Sequence, residues 1–506
     1  MNGIPLLTLI TLLPVIGAVI SLFSGRHARG VAQITGVVAF ALSLVIWLNL
    51  PADGSIGLVE LKVWAPSLGI QYHLGVDGLG ALMLVLSALV TLMSVDAAHR
   101  VHHEPGLFFA LVLLLEAGLF GSFTALNFFH WFLFWELSLI PAFFLIKLWG
   151  GPKRGPAATQ FFVYTMAGSV ALLLSFLAVL LSTGSMEFQD LAAMAANGKL
   201  AQQVNVHLGP VMMWLAVGVL AGFAVKVPLA PFHTWLPAAY SEAPSPVTML
   251  LTGAMSKMGV YGLLRIALPL FGQQIAQIRT PLLVLAVITV VMGAWAAAAQ
   301  KDLKRVFAYS SVNHLGYCLL GIFAIAVPGG ANVSVGTSQA AALNGVILQM
   351  FNHGLTAAAL FWFIAMIQFR SGGLRGIDDF GGLRKPAPVF AGLMGIALFS
   401  SLGLPGLNGF VGEFLIFRGV FPLSWVAATF SVLGLLVTAA VILTVIQKVF
   451  TGPVPEHWAK FPDLHGGELL GMAPVIGLIF LLGVVPQLIV GNVNPTVEYL
   501  LAHWRF

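Results

Sequence analysis

Long hydrophobic runs occupy most of the chain, and polar residues are largely confined to the short segments between them. A membrane-spanning α-helix needs about 20 apolar residues, and the hydropathy pattern divides the chain into about fourteen such spans. The spans are predicted at 4–23, 31–50, 77–95, 106–126, 128–148, 160–182, 209–227, 246–268, 280–299, 306–327, 340–367, 388–417, 424–447 and 470–490. The pattern therefore predicts an all-α polytopic membrane protein.

Two polar, proline-containing segments interrupt this pattern, within the seventh and the twelfth predicted span. Segment 222–246 places Lys226 directly before Pro228 and Pro231, and segment 403–414 contains Pro405 among glycines and ends near Glu413. Proline removes a backbone donor, and broken helices in membranes usually line a polar cavity. Because the two broken spans lie five spans apart in the chain, they cross the membrane in opposite directions. We predict two inverted five-helix repeats, spans 4–8 and 9–13, with broken helices 7 and 12.

We expect the whole chain, 1–506, to form a single transmembrane domain without a soluble module. Its predicted parts are three N-terminal helices in 1–105, the first repeat in 106–270, the second repeat in 280–450 and one C-terminal helix in 451–506. The polar loop 51–76 is compatible with a hairpin.

Composition limits the classes of function. Of the 506 residues, 59% are hydrophobic and 8% are charged, whereas soluble domains carry about 25% charge. Cys318 is the only cysteine, so cysteine-ligated clusters, cysteine zinc sites and disulfides within the chain are excluded. No phosphate-binding glycine motif follows a predicted strand. We expect no cofactor and no metal in this chain.

Basic residues are distributed unevenly between the two sets of loops. With the N-terminus outside, fifteen Lys and Arg residues lie in one set and four in the other. The positive-inside rule then predicts both termini on the periplasmic side of a bacterial inner membrane, with an organelle membrane as the second choice. We call the side with fifteen the basic side. The net charge of +5 is assigned to these loops and not to nucleic-acid binding.

Several ionisable residues lie in or beside the predicted spans. A charge in hydrocarbon costs at least ~2.5–3.5 kcal/mol, so such residues usually have a function. The candidates for a proton path are Glu136, Lys226, Lys257, His314, His353 and Glu413. Each has an alternative: a static ion pair for Glu136 and Lys226, or hydrogen-bonded packing for the histidines. Glu116 can instead pair with a partner subunit, while Arg265 and Lys147 are expected to extend to the interface.

At these residues the chain resembles the antiporter-like membrane subunits of NADH:quinone oxidoreductase, respiratory complex I. The resemblance covers about residues 75–450 and rests on the following segments: Phe134–Pro141, Phe223–Pro237, Glu242–Val247, Lys257–Arg265, Asp302–Tyr317 and Gly409–Phe414. Two departures are Ala238-Ala239-Tyr240, where acidic and histidine residues are more usual, and Ser256, where leucine is more usual.

The resemblance implies a role for each candidate. Glu136 and Lys226 would form the ion pair of a proton channel, the lysine and histidines at 257, 314 and 353 the central relay, and Glu413 the exit. Sister subunits usually carry lysine at this last place. The glutamate, together with the lack of a long extension after about residue 490, favours one branch of the family.

The resemblance also implies a function. We expect a proton-translocating, non-redox subunit of a translocase, with flavin, iron–sulfur clusters and quinone held by partner subunits. The expected partners are other membrane subunits, including sister antiporter-like subunits, together with lipids and protons. The alternatives are a subunit of a multi-subunit sodium/proton antiporter, or of a ferredoxin- or hydrogenase-linked relative of complex I. The sequence separates these poorly, because all use the same buried charges.

Overall fold

The computed structural model describes residues 5–65, 70–328 and 333–506, and most of them are helical. Two antiparallel strands, β1 (Gly57–Ala65) and β2 (Ile70–Val76), are described alongside the helices. The α-helices, in chain order, are α1 Leu6–Phe23, α2 Ala28–Leu48, α3 Gly78–Ala97, α4 Pro105–Thr124, α5 Phe128–Trp149, α6 Arg154–Thr183, α7 Phe188–Ala196, α8 Lys199–Leu208, α9 Met212–Lys226, α10 Trp235–Glu242, α11 Ser245–Leu250, α12 Lys257–Gly262, α13 Leu268–Gln277, α14 Arg279–Ala298, α15 Leu303–Ile325, α16 Val333–Arg370, α17 Pro388–Leu402, α18 Asn408–Leu423, α19 Trp425–Val445, α20 Gly466–Val484 and α21 Gln487–His503.

The prediction of an all-α membrane protein is confirmed. Within the described ranges, twelve helical segments are long and apolar enough to cross a membrane. The two remaining predicted spans, the seventh and the twelfth, correspond to α9 and to the pair α17 and α18, which are shorter. The hairpin in loop 51–76 is also observed, with Gly57 opposite Val76 and Val63 opposite Gln71.

The prediction of a single C-terminal helix in 451–506 is wrong, because the structure has two helices there, α20 and α21. A short break at Val485 and Pro486 separates them, and proline at that point cannot donate to the preceding turn. α21 packs against α3 and α16, where the Thr496 hydroxyl accepts a hydrogen bond from the Gly78 amide at 3.0 Å.

The first predicted break is confirmed, because α9 ends at Lys226 and helix resumes only at Trp235. Pro228 has a positive φ of 29° in this stretch, a rare conformation for proline. The freed backbone donors find partners: the Leu229 amide donates to the Ala224 carbonyl, and the Ala230 amide donates to the Thr289 hydroxyl, both at 2.9 Å. Such compensation is what allows non-helical backbone at membrane depth.

The second predicted break is confirmed between α17 and α18. Gly403 and Gly406 have φ of 83° and 92°, which only glycine adopts without strain. The side-chain amide of Asn352, on α16, donates to the Asn408 carbonyl at 2.7 Å and so fixes the start of α18. The inverted relation between the two repeats stays a prediction.

The buried centre of the molecule is α16, a helix of 38 residues that packs against α3, α15 and α18. Next to it lies the long helical segment Ser245–Gln277, which is buried along its most apolar stretch. Two π-helical turns, Leu251–Met255 and Leu263–Ala267, flank α12 in this segment. Such turns occur frequently at functional sites, and Lys257 is the first residue of α12.

Candidate functional site: a buried relay

Four of the six candidate residues lie together in the second half of the molecule. We call Lys257, His353, His314 and Glu413 the central relay. They come from α12, α16, α15 and α18, respectively, and are 0%, 7%, 4% and 5% exposed. The packing of α12, α15 and α18 around α16 therefore brings these residues into one buried site.

Hydrogen bonds connect the relay at both ends. The Lys257 Nζ atom lies 2.8 Å from Nδ1 of His353. The Nδ1 atom of His314 lies 3.0 Å from the Glu413 carboxylate oxygen Oε1. Between these two pairs, the imidazole centroids of His314 and His353 are 5.2 Å apart, which is close contact but not a hydrogen bond. The site thus has two hydrogen-bond contacts between ionisable side chains and one gap between the histidines.

Neutral polar groups hold the ends of the relay in place. Lys257 donates to the Thr252 carbonyl at 2.5 Å and approaches the Ser256 hydroxyl at 3.3 Å. The Thr252 carbonyl belongs to the π-helical turn before α12, and it also accepts a hydrogen bond from the Ser256 hydroxyl at 3.0 Å. The Ser401 hydroxyl lies 3.2 Å from Nε2 of His314, and the Gln349 amide donates to Glu413 at 3.4 Å.

A small cavity lies beside His314 and His353, at the gap between their rings. Both imidazoles line it, together with the polar side chains of Ser310, Ser311 and Thr356. The cavity volume is about 20 Å³, and a volume of about 10–15 Å³ is enough to hold one water molecule. The site therefore has room for one water molecule, with polar side chains in the wall, at the place where the two histidines do not reach each other.

Glu413 also borders a second, larger space. A groove of about 690 Å³ between α18 and α19 is lined by Glu413 and by apolar side chains including Phe410, Phe414 and Phe421. The carboxylate thus lies between the buried relay and an open apolar groove. The exit role that the resemblance implies for Glu413 stays a prediction.

The expected ion pair between Glu136 and Lys226 is not formed. No nitrogen–oxygen distance of 4.0 Å or less joins them. Instead the Lys226 ammonium, on a side chain that is 3% exposed, lies 4.5 Å from the ring centroid of Trp135. Glu136 is half-buried, and its Oε1 atom has no hydrogen-bond partner among the described residues. The ammonium thus contacts the indole of Trp135, the residue before Glu136.

Glu116 is fully buried inside the chain. It lies on α4 at 0% exposure, and neither carboxylate oxygen has a hydrogen-bond partner in the described part of the protein. A side chain enclosed in this way is not presented to a partner subunit. The alternative of a contact between subunits through Glu116 is therefore wrong.

Arg265 does not extend to the interface as expected. Its guanidinium nitrogen Nη2 lies 2.6 Å from the Asp77 carboxylate, and the two side chains are 7% and 1% exposed. Asp77 also caps α3 by accepting from the Gly80 amide at 3.1 Å. Sequence reasoning missed this pair, although an arginine inside one predicted span and an aspartate at the start of another are each a signal of a buried partner.

Comparisons with known proteins agree with this architecture. Residues 125–442 match the family model described as NADH:quinone oxidoreductase/Mrp antiporter, transmembrane. NADH-quinone oxidoreductase subunit M of Rhodobacter capsulatus is 34% identical, with 99% of this chain and 97% of that protein covered. The subunit M of Rickettsia typhi is 32% identical, with 99% of both chains covered. The relatives thus carry the name of the branch, subunit M, that the glutamate at 413 favours.

Solved structures give the same result. A chain in respiratory complex I from Thermus thermophilus with bound NADH superposes with a TM-score of 0.86 at 30% identity, covering 98% of this chain and 99% of that one. A chain in the Mrp complex from Dietzia shares the fold, with a TM-score of 0.81 at 22% identity and coverage of 99% and 100%. The chain therefore belongs to the NADH:quinone oxidoreductase/Mrp antiporter transmembrane family.

Proposed function

We propose that this chain is a proton-translocating, non-redox membrane subunit of a proton-pumping NADH:quinone oxidoreductase. The observation that carries the proposal is the buried relay: a lysine, two histidines and a glutamate converge from four helices, and two of the three contacts are already at hydrogen-bond distance. Histidine exchanges protons near neutral pH, and lysine does so when its surroundings change. A purely structural role does not explain why four ionisable side chains meet at the centre of an apolar bundle.

The proposed path has an entrance, a relay and an exit. Protons pass from Glu136 and Lys226 to Lys257, then through His353 and His314, and leave at Glu413. The first step requires movement, because the Lys226 ammonium rests on the Trp135 ring and has no hydrogen bond to the relay. The break after Lys226 supports such movement, since helix ends at broken segments can shift without breaking a regular helix.

Electron transfer takes place in partner subunits under this proposal. Flavin, iron–sulfur clusters and quinone lie there, and their reactions change the electrostatic field along the buried charges of this chain. In the described residues, no group of three or more His, Cys, Asp and Glu side chains is arranged to hold a metal. The partners are other membrane subunits, including sister antiporter-like subunits, and the location is a bacterial inner membrane with both termini on the periplasmic side.

The test is proton translocation measured together with quinone reduction in intact complexes carrying Lys226→Ala or Glu136→Ala. We expect both variants to assemble and to lose most pumping. Lys147→Ala is the matched control, because this lysine lies on the same helix as Glu136 but is exposed. Pumping at the wild-type rate in both variants contradicts the proposal.

Purification of the native complex separates this function from the sodium/proton antiporter. Flavin and iron–sulfur subunits that co-purify with the chain support a quinone reductase. Small antiporter subunits without redox groups support the other function. The 30–34% identity to quinone oxidoreductase chains over nearly the whole length favours the first outcome, whereas the likeness to the Mrp chain at 22% identity shows the fold alone.

A further inference from the structure

A cluster of charged side chains on the basic side takes no part in the proposed path. Glu242 is the last residue of α10, Asp302 directly precedes α15, Lys304 lies in the first turn of α15, and Arg375 follows α16. Glu242 and Lys304 are 9% and 2% exposed. We call these four residues the basic-side cluster.

Arg375 makes contacts in two directions. Its Nε atom lies 2.7 Å from the Asp302 carboxylate, and its Nη1 atom donates to the Ser241 carbonyl at 2.7 Å. Its Nη2 atom lies 3.7 Å from Glu242. The planar guanidinium presents donors on several sides at once, which a lysine cannot reproduce. One side chain therefore joins the end of α10 to the start of α15.

Further contacts fix the same three segments to one another. Lys304 Nζ donates to the Ala243 carbonyl, just after α10. Asp302 caps α15 by accepting from the Lys304 amide at 2.9 Å. The Arg375 carbonyl accepts from the Leu303 amide, also at 2.9 Å. The cluster is thus a set of mutually supporting bonds and not a single exposed ion pair.

Each of the three helical segments that leave this cluster leads to a member of the central relay. The segment after Ala243 leads through α11 to Thr252 and Lys257. Asp302 begins α15, which carries His314, and Arg375 follows the end of α16, which carries His353. Helices are stiff, so a displacement of their ends in the cluster is passed on to the relay.

A contact beside the relay joins two of these helical segments. The hydroxyl of Thr252 lies 3.0 Å from that of Ser311 on α15. Ser311 in turn lines the cavity between the two histidines. A change in the distance between these segments at the cluster would therefore displace both Lys257 and the cavity between the histidines.

We propose that Arg375 is a positioning residue for proton transfer, which joins the end of α10, the start of α15 and the connection after α16 so that Lys257 and His353 stay within hydrogen-bond distance. The inference rests on the proposed function. Proton transfer needs donor and acceptor within about 2.6–3.2 Å, and the observed 2.8 Å between Lys257 and His353 lies in that range. Arg375 touches neither residue and acts only through the helices.

The test compares Arg375→Gln with Arg375→Lys in the intact complex, with pumping and quinone reduction measured together. Glutamine removes the charge and the fork of donors, and we expect pumping to fall by up to about 100-fold, the effect of a misplacement near 1 Å. Lysine restores the charge and should recover part of the loss. Lys448→Gln is the control, because its ion pair with Asp378 on the same side is exposed and joins none of these helices.

A double-mutant cycle with Lys257→Met separates positioning from a general loss of stability. If Arg375 acts through Lys257, the double variant pumps no less than Lys257→Met alone, because the affected step is already absent. If the two losses multiply, or if neither Arg375 variant assembles, the role is structural and the proposal is overturned. Wild-type pumping in Arg375→Gln also overturns it. Wild-type pumping in Lys257→Met instead contradicts the proposed function itself, so the two failures are distinct.

Discussion

The two regions that carry buried charge differ in how far they are connected. In the central relay, Lys257 contacts His353 and His314 contacts Glu413 at 2.8 and 3.0 Å. Around the first break, Lys226 rests on the face of Trp135, 4.5 Å from the ring centroid, and Glu136 is not paired with it. In one region the buried ionisable side chains contact one another directly, and in the other the buried lysine contacts an aromatic ring.

This difference indicates where control is exerted. A relay whose members are already in contact needs only small rearrangements, and its cavity has room for a water at the remaining gap. The Lys226 ammonium must leave the Trp135 ring before it can approach another charged group. We infer that the slow, regulated step lies at the first broken helix, and that the central relay conducts once a proton arrives.

The largest effect on pumping is expected when Lys257 of the central relay is replaced. Lys257→Met keeps an unbranched side chain of similar length but removes the contacts to the Thr252 carbonyl and to His353. A positioned proton donor contributes about 100- to 10,000-fold to a rate, so we expect at least a 100-fold loss of pumping, measured as proton uptake into vesicles. Lys460→Met, at an exposed position, is the control. Pumping above half of the wild-type rate contradicts the relay.

A smaller loss is expected at the exit. Glu413→Gln keeps the size and a hydrogen-bonding oxygen beside His314 but removes the charge. A hydrogen bond to a charged group contributes about 1.5–3 kcal/mol, which corresponds to roughly 10- to 100-fold in rate. Glu498→Gln, on the exposed face of α21, serves as the control. If both variants pump equally well, Glu413 is not the exit group.

The helical architecture could be predicted from the sequence because it follows from local hydropathy. Fourteen apolar runs and two proline-containing interruptions are visible without any tertiary information, and the helices do end at Lys226 and at Leu402. The proximity of Lys257 and His353, which are 96 positions apart, is not a local property. It was expected only through the resemblance to a known family.

The contact partner of each buried charged side chain could not be predicted from the sequence. Arg265 sits near the end of a predicted span, so an interfacial position was reasonable, yet Asp77 from another helix reaches it at 2.6 Å. The missing pair of Glu136 and Lys226 has a similar cause, since Trp135 precedes the carboxylate on α5 and its ring competes for the ammonium. Both choices depend on packing between distant segments.

Close packing at the first broken helix can be tested with Gly259→Ala on α12. An added Cβ would lie 2.5 Å from the Val227 side chain and 3.1 Å from its amide nitrogen, so the end of α9 must shift. Overpacking of this kind usually costs about 1–3 kcal/mol, and we expect a lower midpoint of thermal inactivation of the complex. Gly392→Ala on α17 meets open space and should not lower the midpoint. Equal midpoints for the two variants would show that α12 and α9 are not tightly packed.

The smallest expected effect tests whether the Trp135 ring restrains Lys226. Trp135→Leu removes the aromatic face, and a buried cation–π contact is worth about 0.5–2 kcal/mol. Without the ring, the ammonium no longer has to leave it before it approaches another charged group, so we expect this step to speed up by roughly 2- to 30-fold. Trp135 also donates to the Ser169 hydroxyl at 3.0 Å, and Ser169→Ala removes that bond alone. If the leucine and Ser169→Ala variants pump at the same rate, the ring does not act on Lys226, and the contrast between the two regions has to be explained by the broken backbone after Lys226 instead.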